Sequence, residues 1–186
     1  AKAANNVTLD IGRGDIIINK SGISAFDTEG NEVTKTSSQY VITGYSEEHS
    51  IQIGDGANAN IVLSDVSIIR SAAGESPFWI ADDSTGNVTV TLQGTNTLQG
   101  GSGAAAIQKN CNHTGSYDKC GRLDITCGNN TSSHVCDTGC GILNATGTDG
   151  AAAIGGAAGM GSSNINIKGG MITANGGVGG AAGGVG

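Results

Sequence analysis

Three stretches of this chain can be written one above another, and each is a set of short alternating runs broken by glycine pairs. The first passes from residues 87–92 (NVTVTL) through 96–98 (NTL) and Gly100-Gly101 to 104–107 (AAAI). The second reads 123–126 (LDIT), 142–146 (ILNAT) and 151–156 (AAAIGG). The third reads 164–170 (NINIKGG), 171–174 (MITA) and 181–185 (AAGGV). Apolar residues at every second position put one side chain into a core and the next into solvent, which predicts strands. Self-similarity at a spacing of tens of residues predicts stacked repeats. A looser round spans 60–63, 67–69 and 78–80. Upstream, 7–11, 15–19, 40–43 and 50–53 alternate in the same way, with hairpin-like excursions at 22–38.

Composition agrees. The chain holds 33 Gly in 186 residues and only 3% aromatic residues, so its interior must be filled by Ala, Val, Ile and Leu. A narrow interior suits such side chains, because each layer needs only a few of them at close-packed density. The expected fold is therefore all-β: a single right-handed parallel β-helix, a three-sided β-solenoid, over residues 1–186. Residues 1–59 form its N-terminal rounds and 60–186 its regular rounds. Ile107 and Ile154 are further apart than Ile154 and Val185, and the excess maps to two insertions, 109–121 and 128–140.

Those two loops hold four of the five cysteines: Cys111, Cys120, Cys136 and Cys140. The spacings lack the C-x2-C pairs of a zinc site, and an oxidised loop cluster is expected instead. Leu123, Ile125 and Cys127 alternate along one strand, so Cys127 faces inward as a buried, free thiol. The expected bridges are Cys111–Cys120 and Cys136–Cys140, with Cys127–Cys136 as the competitor. Asn-X-Ser/Thr sequons occur at Asn6, Asn19, Asn87, Asn112, Asn129, Asn130 and Asn144, more than twice the number chance would give for this composition. Glycans there would coat the exposed faces. Cysteines and sequons together point to an extracellular or cell-surface location.

The strings 94–98 (GTNTL), 105–107 (AAI), 123–126 (LDIT), 141–147 (GILNATG), 152–156 (AAIGG) and 165–174 (INIKGGMITA) carry a resemblance. From about residue 40 onward the chain resembles right-handed β-helix surface proteins with Ala-Gly-Ile-Gly-Gly repeats, found in gut bacteria and some protists. Some of these are described as carbohydrate-binding domains or as adhesin-like. The resemblance implies a secreted or surface-attached protein that touches glycans. The cysteine-bearing loops and the sequons depart from that pattern.

A net charge of −7 with no basic patch removes nucleic acid from the expected partners, and no apolar run of about 18 residues predicts a membrane span. Catalytic constellations are missing: Asp82-Asp83 is the one adjacent acidic pair with a glycosidase look, and Arg13, Arg70 and Arg122 stand apart. No cofactor is expected. A calcium ion would need six or more oxygens, for which Asp55, Asp65, Asp82 and Asp83 are the turn-borne candidates. Trp79 is the lone tryptophan, either a stacking platform for sugar or a plug for the core.

The expected function is a non-enzymatic extracellular or cell-surface structural or adhesive protein, glycosylated. A carbohydrate-binding module is the first alternative. The second is a subunit stacked head to tail in an extracellular fibre, since the given chain stops inside the last repeat. A polysaccharide lyase or hydrolase and an ice-binding protein complete the set. Partners are accordingly glycans, attached or bound, and copies of the chain itself end to end.

Overall fold

The computed structural model describes residues 6–112, 119–128, 136 and 138–179. These form sixteen β-strands joined by turns and one-turn 3-10 segments such as Ile11–Arg13 and Thr138–Cys140. No helix among the described residues is long and apolar enough to cross a membrane.

Nine strands make an all-parallel sheet. Its spine is β7 (Ala59–Ile69). On one side β7 is followed by β9 (Val88–Gln93), β12 (Leu123–Cys127) and β15 (Ile165–Ile167). On the other it is followed by β10 (Thr95–Gln99), β13 (Ile142–Thr146) and β16 (Met171–Asn175). β5 (Gln39–Ser46) also pairs with β7, and β1 (Asn6–Asp10) pairs with β5. Seven strands make a second, mixed sheet. Four of them are β2 (Ile16–Asn19), β6 (Ile51–Ile53), β8 (Phe78–Ile80) and β11 (Ile107–Lys109). The others are β14 (Ile154–Gly155) at one edge and β3 (Gly22–Phe26) with β4 (Glu32–Val33) at the other.

This corrects the expected fold: the chain is not a single three-sided β-helix. First, residues 60–63 and 67–69, read as two separate sides, belong to one unbroken strand, β7. Its first half pairs with β9 and its last residues with β10, so both ladders are one sheet. The physical reason is local. Residues 59–69 contain no glycine to set a corner. The bend falls on Asp65, which holds φ 55, and its Oδ1 accepts the Thr95 N–H at 2.9 Å. In the later layers Gly94 and Gly141 take the positive φ and the strands do part there. Second, β2 runs parallel to β6 but antiparallel to β3, and β3 is antiparallel to β4, so the second sheet is not a parallel wall. The hairpin-like character read at 22–38 is present, but its strands β3 and β4 extend the second sheet instead of standing off it.

In-register pairing stacks like on like in the interior. One column runs Leu9, Ile42, Leu63, Leu92, Cys127, and its neighbour Tyr40, Ile61, Val90, Ile125, Ile167. In the mixed sheet the columns are Ile16, Ile51, Phe78, Ile107, Ile154 and Ile18, Ile53, Ile80, Lys109. From Leu9 and Tyr40 to Leu92 and Ile125, and from Ile16 and Ile18 to Ile80 and Ile107, these side chains form one continuous buried cluster, with Ile154 partly buried against it. Each aliphatic side chain fully withdrawn from water contributes about 1.5–3 kcal/mol before chain entropy is set against it. Glycine is obligatory where layers touch backbone to backbone: a Cβ on Gly121 would run into the Gly86 carbonyl of the layer before it. The far edge is less covered, and Ile167 and Met171 are exposed there.

Candidate functional site

The outward face of the mixed sheet carries a concavity lined mainly by polar side chains. In β6, β8 and β11 an apolar residue precedes a middle residue that points away from the core. Pairing in register aligns the three middle residues as a row: Gln52, Trp79, Gln108. Adjacent strands lie about 4.8 Å apart, so the two amides stand roughly 10 Å from each other with the indole between them. On the next strand the row continues to Gly155, which has no side chain. Trp79 is half-buried, and the core position beside it belongs to Phe78, which corrects the reading of Trp79 as a plug for the core.

Around the row lies a groove of about 440 Å³, lined by Asp15, Glu48, Glu75 and Arg70 together with Ser50 and Ser76. The rim is ordered by its own hydrogen bonds. Asp15 Oδ1 accepts the Ser50 N–H at 2.8 Å, and His49 Nδ1 lies 3.8 Å from the same oxygen. Gln52 Nε2 donates to Ser50 Oγ at 3.0 Å. Gln108 Oε1 accepts the Ala105 N–H at 3.4 Å. Arg70 is buried, paired with Glu75 and donating from Nη1 to the Glu47 carbonyl at 3.1 Å. Its Nε has no partner among the described residues. Three carboxylates against one guanidinium leave the groove acidic.

Sequence reasoning found Trp79 but missed Gln52 and Gln108. The alternations Ile51-Gln52-Ile53, Phe78-Trp79-Ile80 and Ile107-Gln108-Lys109 do point the middle residue outward. What the alternation does not contain is the register that brings residues so far apart in the chain side by side.

The cysteines divide into two groups. Cys111 and Cys120 are joined by a disulfide. Cys136 and Cys140, expected as a second bridge, are not joined to each other, and with Cys127 they remain thiols. Cys127 is buried below Leu92, on the inward side of β12. The three Sγ atoms lie within 4.8 Å of one another.

Among the sequons, Asn6, Asn19, Asn87 and Asn112 are exposed and Asn144 is half-buried. Asn129 and Asn130 lie outside the described residues. Asn87 has a structural task as well: its Oδ1 accepts the Arg122 N–H at 2.9 Å, while its own N–H donates to Asn58 Oδ1 at 2.8 Å. Asn144 stands in the outward row Tyr45, Ser67, Thr97, Asn144, Thr173.

The calcium candidates do not converge. Asp65 caps Thr95 as described above. Asp82 Oδ1 accepts from Asn110 Nδ2 at 2.9 Å, and Asp83 Oδ1 from the Asn112 N–H at 2.7 Å. Asp83 does sit beside Cys111 and Cys120, but their sulfurs are spent in the disulfide. Asp55 is exposed on a turn outside these contacts. Asp65, Asp82 and Asp83 each fasten one layer to the next rather than share a site.

An unforeseen charged cluster surrounds Asp124, whose carboxylate meets Arg122 Nε at 2.7 Å, Lys168 Nζ at 2.9 Å and Asn166 Nδ2 at 3.0 Å. Burial pushes its pKa up, but the bonds from Lys168, Arg122 and Asn166 outweigh this and hold it below the ordinary carboxylate value.

No family model, no curated protein and no solved structure matches this chain.

Proposed function

We propose that this chain is a non-enzymatic adhesive module, extracellular or at a cell surface, that binds a neutral or amino-bearing saccharide in the groove over β6, β8 and β11. The observation that carries the reading is the row Gln52, Trp79, Gln108 set in a polar groove. An indole face offers apolar area to the C–H face of a sugar ring. Amides on either side supply both donors and acceptors for hydroxyl groups. The acidic rim of Asp15, Glu48 and Glu75 disfavours uronates and sulfated sugars, because like charges brought together raise each other's cost.

N-linked glycans belong to the same reading. The exposure of Asn6, Asn19, Asn87 and Asn112 supports attachment at those positions, and none of the four lines the groove. The disulfide Cys111–Cys120 supports an oxidising route.

A glycan array probed with enzymatically deglycosylated chain tests the proposal. Binding to neutral or amino sugars is expected, with Trp79→Ala weakening it about tenfold or more. Binding confined to acidic glycans, or left unchanged in Trp79→Ala, would overturn the groove assignment. Release of shorter oligosaccharides from a bound polysaccharide would overturn its non-enzymatic character.

A further inference from the structure

The three thiols of Cys127, Cys136 and Cys140 come from separate places in the chain. Cys127 ends β12, Cys136 lies in the loop that follows, and Cys140 closes the 3-10 turn leading into β13. Their Sγ atoms all lie within 4.8 Å of one another. The Cys127–Cys136 separation is 3.8 Å. A disulfide needs about 2.05 Å. Thiolates around a tetrahedral ion with metal–sulfur bonds of about 2.3 Å are separated by about 3.8 Å. The Cys127–Cys136 separation is too long for a disulfide and fits two thiolates on a shared ion.

A second feature points the same way. The Gly169-Gly170 pair, between β15 and β16, passes over the cluster. The Gly170 N–H donates to Cys136 Sγ at 3.2 Å. A backbone N–H aimed at sulfur favours the thiolate over the thiol. A Cβ on Gly169 would stand 3.1 Å from Cys127 Sγ and 3.6 Å from Cys136 Sγ, so any larger residue there would crowd the sulfurs, and Gly170 holds φ +104. Two thiols are buried and the third is exposed, which gives an enclosed pair with one open side.

We infer that Cys127, Cys136 and Cys140 form a three-thiolate site for a thiophilic divalent cation of the zinc type, with its fourth position open to solvent. Binding displaces a proton from each sulfur that is still a thiol, and no electrons are transferred. The ion ties β12, the loop after it and the entry to β13 together at one point, in the loop that has no disulfide among its described residues. The site is separate from the groove, and the inference does not rest on saccharide binding.

The test uses the full chain, purified free of metal and oxygen, with the Cys111–Cys120 bond verified by peptide mapping. Titration with Co2+ is expected to saturate at one ion per chain, with thiolate charge-transfer and tetrahedral d–d bands that Zn2+ then abolishes. Cys136→Ser, at an exposed position, removes these bands. The double variant Cys111→Ser, Cys120→Ser keeps them, and Gly169→Ala weakens affinity about tenfold or more. Thermal unfolding of each variant confirms that it is folded. The absence of thiolate bands in a folded chain whose three thiols titrate as reduced would overturn the site. So would peptide mapping that finds Cys127–Cys136 or Cys136–Cys140 bridged in the isolated chain.

Discussion

The column Leu9, Ile42, Leu63, Leu92 in the parallel sheet and the column Ile18, Ile53, Ile80 in the mixed sheet are both built of branched aliphatic side chains stacked strand upon strand. The first then ends on a thiol, Cys127, and the second on an amine, Lys109. Both end residues are buried. Cys127 lies against Cys136 and the Gly169 backbone. Lys109 Nζ donates to the Ser163 carbonyl at 2.7 Å. An aliphatic column can therefore end on a heteroatom where a segment from a later layer brings a partner. A third case supports this. Asn96 is fully buried, its Oδ1 accepts the Val66 N–H at 2.9 Å, and its Nδ2 donates to the carbonyls of Gln93 and Ile142. Inward polarity is tolerated in this fold when it links layers.

Three substitutions probe that comparison, beginning with the largest expected effect. Leu92→Ala removes the side chain next to the column end and leaves a cavity between Leu63 and Cys127. Chemical denaturation should show a loss of about 2–5 kcal/mol. A loss below about 1 kcal/mol would mean the column is not tightly packed at that layer.

Lys109→Met keeps the stem and removes the charge. At neutral pH it should cost about 1 kcal/mol, because the Ser163 carbonyl loses its charged donor while the desolvation of an ammonium is relieved. The pH dependence gives a sharper readout. Burial holds the Lys109 pKa below its usual 10.5. Between that lowered value and 10.5 the unfolded chain binds more protons than the folded one, so stability contributed by this group rises with pH in that window. Lys109→Met should lack this rise, and the gap between the two chains should widen toward pH 10.5. Parallel pH curves would show that the amine is not desolvated.

Cys127→Val has the smallest expected effect. In the metal-free chain it should lower stability by less than about 1 kcal/mol, since a small apolar side chain of similar volume replaces the thiol under Leu92. A larger loss without metal would show that the thiol is bonded to something more than its neighbours in the column.

Much of the layer structure could be read from residues alone. The alternations at 88–92 and 123–127 place their inward apolar side chains correctly. They do so because strand side chains alternate regardless of what the strand packs against. The inward position of Cys127 follows from the same rule. The division into walls could not be read that way. Residues 60–69 look like two strands with a break at Ser64-Asp65, yet Asp65 accepts a positive φ and hydrogen-bonds the next layer, so β7 runs on from its β9 ladder to its β10 ladder. Residues 22–38 show no strong alternation, and their antiparallel return onto β2 depends on a partner rather than on their own pattern.

The two sites divide in the same way. Sequence alone determined that Cys127 faces inward and that the remaining cysteines lie in two loops, and it singled out Trp79 without deciding which way it faces. It did so because these are properties of one strand or one loop at a time. Which outward residues share a row, and which sulfurs meet, was decided by tertiary structure. The register between strands 27 and 29 residues apart makes Gln52, Trp79 and Gln108 one surface. The passage of Gly169-Gly170 over the loop gives Cys136 its backbone donor, beside thiols that Cys127 and Cys140 bring from separate elements. The alternation of a strand is local, whereas register and loop closure are set by the joint burial of all the layers at once.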